Sequence, residues 1–187
     1  MKDKVEIFSD RVHHIAAGED KVREAIEQNI DTPLESFVRV ATFCLQEMDE
    51  FLLSKEEETE ETALKYMNDV AKLAQIGMAG YCYALGIKLN LTHVANQMVD
   101  TYKRKNADYG DSFGASIDHY GPVAAHIRIS DKISRLCSLV IKKNSAQVKD
   151  ESIADTFLDL ACYAIMRLVY IEMKSAEIEE EKEDADE

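Results

Sequence analysis

The stretch TEETALKYMNDVAKLAQIGMAGYCYALG, residues 59–86, decides the fold. Tyr66, Asp69, Val70, Leu73, Ile76, Gly77 and Gly80 recur at intervals of three and four, the period of an α-helix and not of a strand. One long helix is predicted from about Thr59 to Leu85. Its small residues suit a close helical neighbour. Gly86 supplies the stop, because glycine accepts the left-handed conformation that ends many helices. Asp69, beside Asn68, is the acid expected to face inward.

Outward from this stretch the same period continues. Asp31-Thr32-Pro33 marks a helix start, with Thr32 or Asp31 as cap and Pro33 in the first turn. The helix that follows, to about residue 53, carries Phe37, Val40, Ala41, Cys44, Leu45, Met48 and Leu52 on one face. Shorter helices are predicted over 3–18 and 20–29. Thr92 is the expected N-cap of another, reaching about Lys105, and two more cover 123–143 and 150–176. With 2 prolines and 7 glycines in 187 residues, a turn-rich sheet is excluded, while 46% hydrophobic residues suffice for a core. The expected fold is all-α, a compact multi-helix bundle. It forms a single domain over 1–176, made of a helical hairpin (33–90) and a second region (92–176).

No apolar run approaches the roughly 20 residues that span a bilayer, so no membrane partner is expected. The N-terminus, Met1-Lys2-Asp3-Lys4-Val5-Glu6, is charged and does not read as a secretory signal. Cys44, Cys82, Cys137 and Cys162 each sit in an apolar helical pattern, as small hydrophobes of a reducing, cytoplasmic compartment do. The net charge of −14 is concentrated. Glu177 to Glu187 holds eight acids against Lys182 and reads as a solvated, disordered tail, and Lys55 to Glu61 holds five acids against one lysine. Such a surface argues against duplex nucleic acid, which wants a basic stripe, but admits a small nucleotide with its metal.

The chemistry concentrates where the helical pattern breaks, at Lys105-Asn106-Ala107-Asp108-Tyr109-Gly110-Asp111-Ser112-Phe113. A cation, an amide, two carboxylates and a phenol there suit a polar ligand, and equally an elaborate helix end. Gly110, Gly114, Gly121 and Pro122 are expected to keep the following segment out of a helix. Farther on, Arg128, Asp131, Lys132 and Arg135 fall at i, i+3, i+4 and i+7, one helical face. These groups satisfy one another or clamp a phosphate, whose oxygens guanidinium matches in bidentate fashion. Glu151, Asp155 and Asp159 form an acidic stripe that needs cations or a metal to answer it. In the first half Glu47 and Glu50 make a Glu-x-x-Glu pair able to address one hard cation, a spacing also common on ordinary wet helices.

Glu47, Glu50 and Asp69, on two helices closed by Ala84-Leu85-Gly86-Ile87, resemble the MazG-type all-α nucleotide pyrophosphohydrolases over residues 33–100. In that family four acids hold magnesium against a triphosphate; here Tyr66 stands at the third position. Three further motifs are Lys105-Asn106-Ala107-Asp108-Tyr109-Gly110, the run from Arg128 to Leu136, and the run from Glu151 to Ala164. In that order they resemble the nucleotide modification associated domain 1 family over about 95–175. That likeness implies an all-helical domain that binds or acts on nucleotides, largely in phages and bacteria, in DNA-base modification or nucleotide-pool control.

Together these readings predict a magnesium-dependent (deoxy)nucleotide phosphohydrolase, with metal-activated water attacking a phosphoanhydride. Asp131, Glu151 and Asp155 are the catalytic candidates. Lys105, Asn106, Asp108, Tyr109, Arg128, Lys132 and Arg135 are the ligand-binding ones. Glu151, Asp155 and Asp159, with Glu47, Glu50 and Asp69, are the candidate metal ligands. The alternative is a non-catalytic nucleotide sensor, sponge or accessory protein, and self-association is expected on either reading.

Overall fold

The computed structural model describes residues 3–27, 32–54, 59–144 and 152–185. In chain order these form α1 (Lys4–Ala16), α2 (Glu19–Glu27), α3 (Pro33–Leu53), α4 (Glu60–Ala84), α5 (Leu91–Tyr109), α6 (Ser112–Tyr120), α7 (Val123–Leu136) and α8 (Ile153–Ala185). A π-helical turn, Cys137–Ile141, extends α7. Among the described residues there is no strand, and the all-α bundle is borne out. No helix among them is long and apolar enough to cross a membrane.

The helix boundaries follow from local chemistry. Thr32 accepts a hydrogen bond from the Glu35 amide and Pro33 opens α3, as the sequence implies. Thr59 and Thr62 cap α4 reciprocally. At its other end Gly86 adopts φ +67°, the Ile87 amide donates to the Cys82 carbonyl at 3.0 Å, and the Gly86 amide donates to Tyr83 at 3.1 Å. This double bond from the turn back into the last helical residues satisfies carbonyls that would otherwise face nothing.

Several boundaries differ from expectation, among them the end of α5, which lies at Tyr109 and not near Lys105. Asn90, not Thr92, caps α5: its side chain accepts from the His93 amide at 2.9 Å. The segment after Gly110 is not a glycine-rich loop but the helix α6. Gly110 (φ +61°) and Gly121 (φ +78°) break the chain as expected, but Gly114 lies inside α6, where its lack of a Cβ leaves room for the capping Asp111 carboxylate. The last helix continues to Ala185, past residue 176, so residues 177–185 are helical and not a frayed tail.

The centre of the bundle is the antiparallel contact of α4 with α8, flanked by α3 on α4 and α7 on α8. Two glycines set how close the central pair comes. A Cβ on Gly77 would lie 2.6 Å from the Phe157 carbonyl oxygen and 2.7 Å from the Ala161 amide nitrogen, and one on Gly80 would strike the Phe157 ring. Around this contact Leu73, Met78, Phe157, Leu160 and Ile165 are fully buried, and α1 adds Phe8 beside α5. Residues of 33–90 and of 92–176 share one core cluster.

Among the described residues one guanidinium lies inside. Arg167 on α8 is 7% exposed, donates from Nε to the Tyr66 hydroxyl at 3.1 Å, and stacks its guanidinium 5.5 and 5.7 Å from the Tyr66 and Tyr170 ring centres. Aromatic faces compensate part of the lost hydration of a guanidinium.

Gly77→Ala is expected to lower stability by about 1–3 kcal/mol through overpacking against α8 backbone, although alanine by itself favours a helix by about 1 kcal/mol. Urea denaturation measures it; an unchanged or raised midpoint would show that α4 and α8 do not touch there.

Candidate functional site

Helices α5, α6, α7 and α8 converge on a cavity of about 320 Å³, at the small end of the range for ligand sites. The last turns of α5 bring Thr101, Tyr102, Lys105 and Asn106; the α5–α6 turn and α6 bring Asp111, Ser112, Phe113 and Ser116. Ala124 and Arg128 enter from α7, and Asp159, Cys162, Tyr163 and Met166 from α8. The residues of α8 fall at i, i+3, i+4 and i+7, which places them on one face.

The register of α7 on α8 sorts the polar face read from the sequence. Arg135 Nε donates to the Thr156 hydroxyl at 3.2 Å, and one helical step on Lys132 pairs with Asp159 at 2.9 Å. The next step brings Arg128 and Tyr163 to the cavity. Lys132 and Arg135 are therefore engaged with α8, and Arg128 is the member of that face that reaches the cavity. Asp131 is exposed and outside the lining.

Two cations and two carboxylates face this space, and their partners differ. Asp111 accepts the Gly114 amide at 2.9 Å as the cap of α6 and is salt-bridged by Lys4 of α1. Asp159 is held by Lys132. Among the described residues no carboxylate lies within ion-pair distance of Lys105 or Arg128. In the same lining the rings of Phe113 and Tyr163 stack with centres 6.0 Å apart and planes 22° apart. The α5 wall is braced by Tyr102, whose ring stacks on Phe8 at 3.9 Å.

Burial also shapes proton affinity here. The Cys162 thiol is pushed up to about 12, by burial first and then by the Asp159 charge. The Tyr102 phenol is pushed up to about 12 by burial and by Asp111. Both stay protonated at neutral pH, so neither supplies a nucleophile there.

The carboxylates of the predicted catalytic and metal set are dispersed. Asp155 is the third helical residue of α8 and forms a reciprocal cap with Ser152: its carboxylate accepts from the Ser152 amide at 3.0 Å and hydroxyl at 2.7 Å, while its amide donates back at 3.1 Å. These bonds hold its carboxyl below the usual range. Its position is thus explained by helix termination. Glu151 lies outside the described residues. Asp108 is exposed in the last turn of α5, away from the cavity, and nothing is described of the Tyr109 side chain.

In the first half Glu47, Glu50 and Asp69 do gather along α3 and α4, but around ammonium groups. Lys65 is salt-bridged to Glu47 and feels Glu50 and Asp69, while Lys72 holds the buried Asp69 at 2.9 Å. Tyr66, at the third acid's place, is committed to Arg167 and stacks on Phe51. Among the described residues no three acids, histidines or cysteines come together as a metal site.

Comparison with known families adds one finding. Residues 105–171 match the family model described as nucleotide modification associated domain 1. The likeness read from the three sequence motifs is thereby borne out for this segment. No curated protein and no solved structure matches the chain. The segment begins at Lys105 and ends at Ile171, so it carries the cavity lining except Thr101 and Tyr102. Residues 33–100, expected to resemble the MazG type, lie outside it, and no match shows that resemblance.

Lys105, Asn106, Arg128 and Asp159 were visible in the sequence as site candidates. Tyr102 and Met166 were not among the candidates, and Cys162 was read as a small hydrophobe. The signal that links them is the spacing from Asp159, but it gains meaning only with α5 and α6 in place.

Two outcomes are expected. Ser152→Ala and Asp155→Ala should each lower stability by about 1 kcal/mol, and the double variant by less than the sum, measured by urea denaturation. Stability should also fall as pH rises from about 9 towards 12. The unfolded Cys162 thiol loses its proton near its ordinary value of 9.0, whereas the folded one keeps it to about 12, so the folded state binds more protons across that window. Cys162→Ala should flatten this slope, read from denaturation midpoints at pH 8, 9.5 and 10.5.

Proposed function

We propose that the α5–α8 cavity binds a nucleotide. The observation that carries this is the pair Lys105 and Arg128, without a described carboxylate partner, facing a cavity walled by the Phe113–Tyr163 stack. Phosphate wants cations whose charge is not already spent on protein acids. A nucleobase wants an aromatic face. The match of this segment to a nucleotide modification associated family supports the same reading.

A magnesium-dependent phosphohydrolase is the second reading. It is favoured by Asp159, a carboxylate in the same cavity as the two cations. Magnesium commonly binds through one or two carboxylates plus substrate phosphates. The described residues do not form a dedicated site, since Asp159 and Asp111 each already hold a lysine. No hydrolytic step follows from them, and binding is therefore the function the geometry supports best. A role in nucleotide-pool control or DNA-base modification fits either reading.

Thermal shift with a nucleotide panel, in chelator and in magnesium, tests this on wild type beside Arg128→Ala. Arg128 is exposed, so its removal should alter stability by less than about 0.5 kcal/mol. At a hundredfold excess over Kd a ligand adds about 2.7 kcal/mol, a rise of about 5–10 °C for a chain of this size. A rise lost in Arg128→Ala, with the nucleotide recovered intact by chromatography, is the expected result. Magnesium-dependent product would establish the second reading. No shift with any nucleotide would remove both.

A further inference from the structure

Resting on the nucleotide reading, we infer that the cavity selects a nucleoside monophosphate, recognising one terminal phosphomonoester dianion and discriminating against di- and triphosphates. The argument is a charge balance within a small volume. Lys105 and Arg128 contribute two positive charges with no described carboxylate in ion-pair reach. The two lining carboxylates are already neutralised from outside the cavity, Asp111 by Lys4 and Asp159 by Lys132. The surplus at the cavity is thus two positive charges, from four cations and two acids.

A phosphate monoester near neutral pH carries about −1.5 to −2, which this surplus matches. Each further phosphoryl group adds about one more negative charge, for which the lining offers no cation beyond Lys105 and Arg128. Space points the same way. A cavity of about 320 Å³ sits at the lower limit for ligand sites, and the Phe113–Tyr163 wall must share it with the base. Asp159 adds polarity to the lining. Lys132 engages its Oδ2, which leaves Oδ1 to accept a hydrogen bond from a sugar hydroxyl or a base amino group.

The experiment compares one nucleoside with its mono-, di- and triphosphate by calorimetry on the full chain, in chelator and again in magnesium. The monophosphate should bind at least about tenfold more tightly than the nucleoside and than the triphosphate in both media. In Lys105→Ala and in Arg128→Ala the ratio of monophosphate to nucleoside affinity should fall towards unity. Arg128→Lys, which keeps the charge but loses the bidentate fork, should fall between. Equal or tighter binding of the triphosphate in either medium overturns the inference and leaves the nucleotide site standing. Failure of every member of the series to bind overturns the site itself. Both lysine and arginine are exposed, and circular dichroism of the variants separates a lost contact from a lost fold.

Discussion

The structure depends on how closely α4 and α8 approach at Gly77. A side chain there would run into the Phe157 carbonyl and the Ala161 amide, which are backbone atoms held in place by their own helix. Closeness fixes more than density. It sets the height of α8 along the bundle and hence which of its residues meet α7 on one side and α5 on the other. Buried Arg167 sits on the same helix pair, between Tyr66 of α4 and Tyr170 of α8. A charge that deep tolerates one arrangement of its neighbours better than its alternatives, because most shifts would strip its compensation. Small residues and a sandwiched guanidinium together define the register.

That register governs the site. Along α7, Arg135 meets Thr156 and Lys132 meets Asp159, and the next cation in line, Arg128, comes to the cavity beside Tyr163. The face looks uniform in sequence but is divided by its neighbours into structural and available charge. Lys105 arrives from the last turns of α5, before Gly110 ends the helix. The availability of Lys105 and Arg128 is therefore a property of packing.

The acids show the reverse. Asp155 ties down the start of α8, Asp111 caps α6 and holds Lys4, and Asp69 holds Lys72. Asp155 and Asp69 stand in patterns that suit a metal ligand and Asp111 in a polar stretch, yet each has a local or tertiary partner that accounts for it. Helix starts need acceptors, and acidic helices need cations. A chain that is this acidic meets these needs with aspartate and glutamate. Carboxylate spacing alone consequently does not pick out the cavity lining, which takes Asp159 from the acidic stripe but not Asp155.

The sequence by itself determined the helices. Thr59 to Gly86, Thr32-Pro33 and the 3.6-residue pattern state where α3 and α4 begin and end, because caps and amphipathic periods are local properties. It also carried, in its motifs, the likeness of residues 105–171 to the nucleotide modification associated domain 1 family. Two things were decided only in three dimensions. One is α6, where Gly114 reads as a helix breaker until the Asp111 carboxylate is seen folded over it. The other is the membership of the site, which excludes Asp131 and Asp155 and includes Tyr102, Phe113, Cys162 and Tyr163. Spacing along one helix says which residues share a face. Only the neighbouring helices, through contacts distant in sequence, say what that face meets.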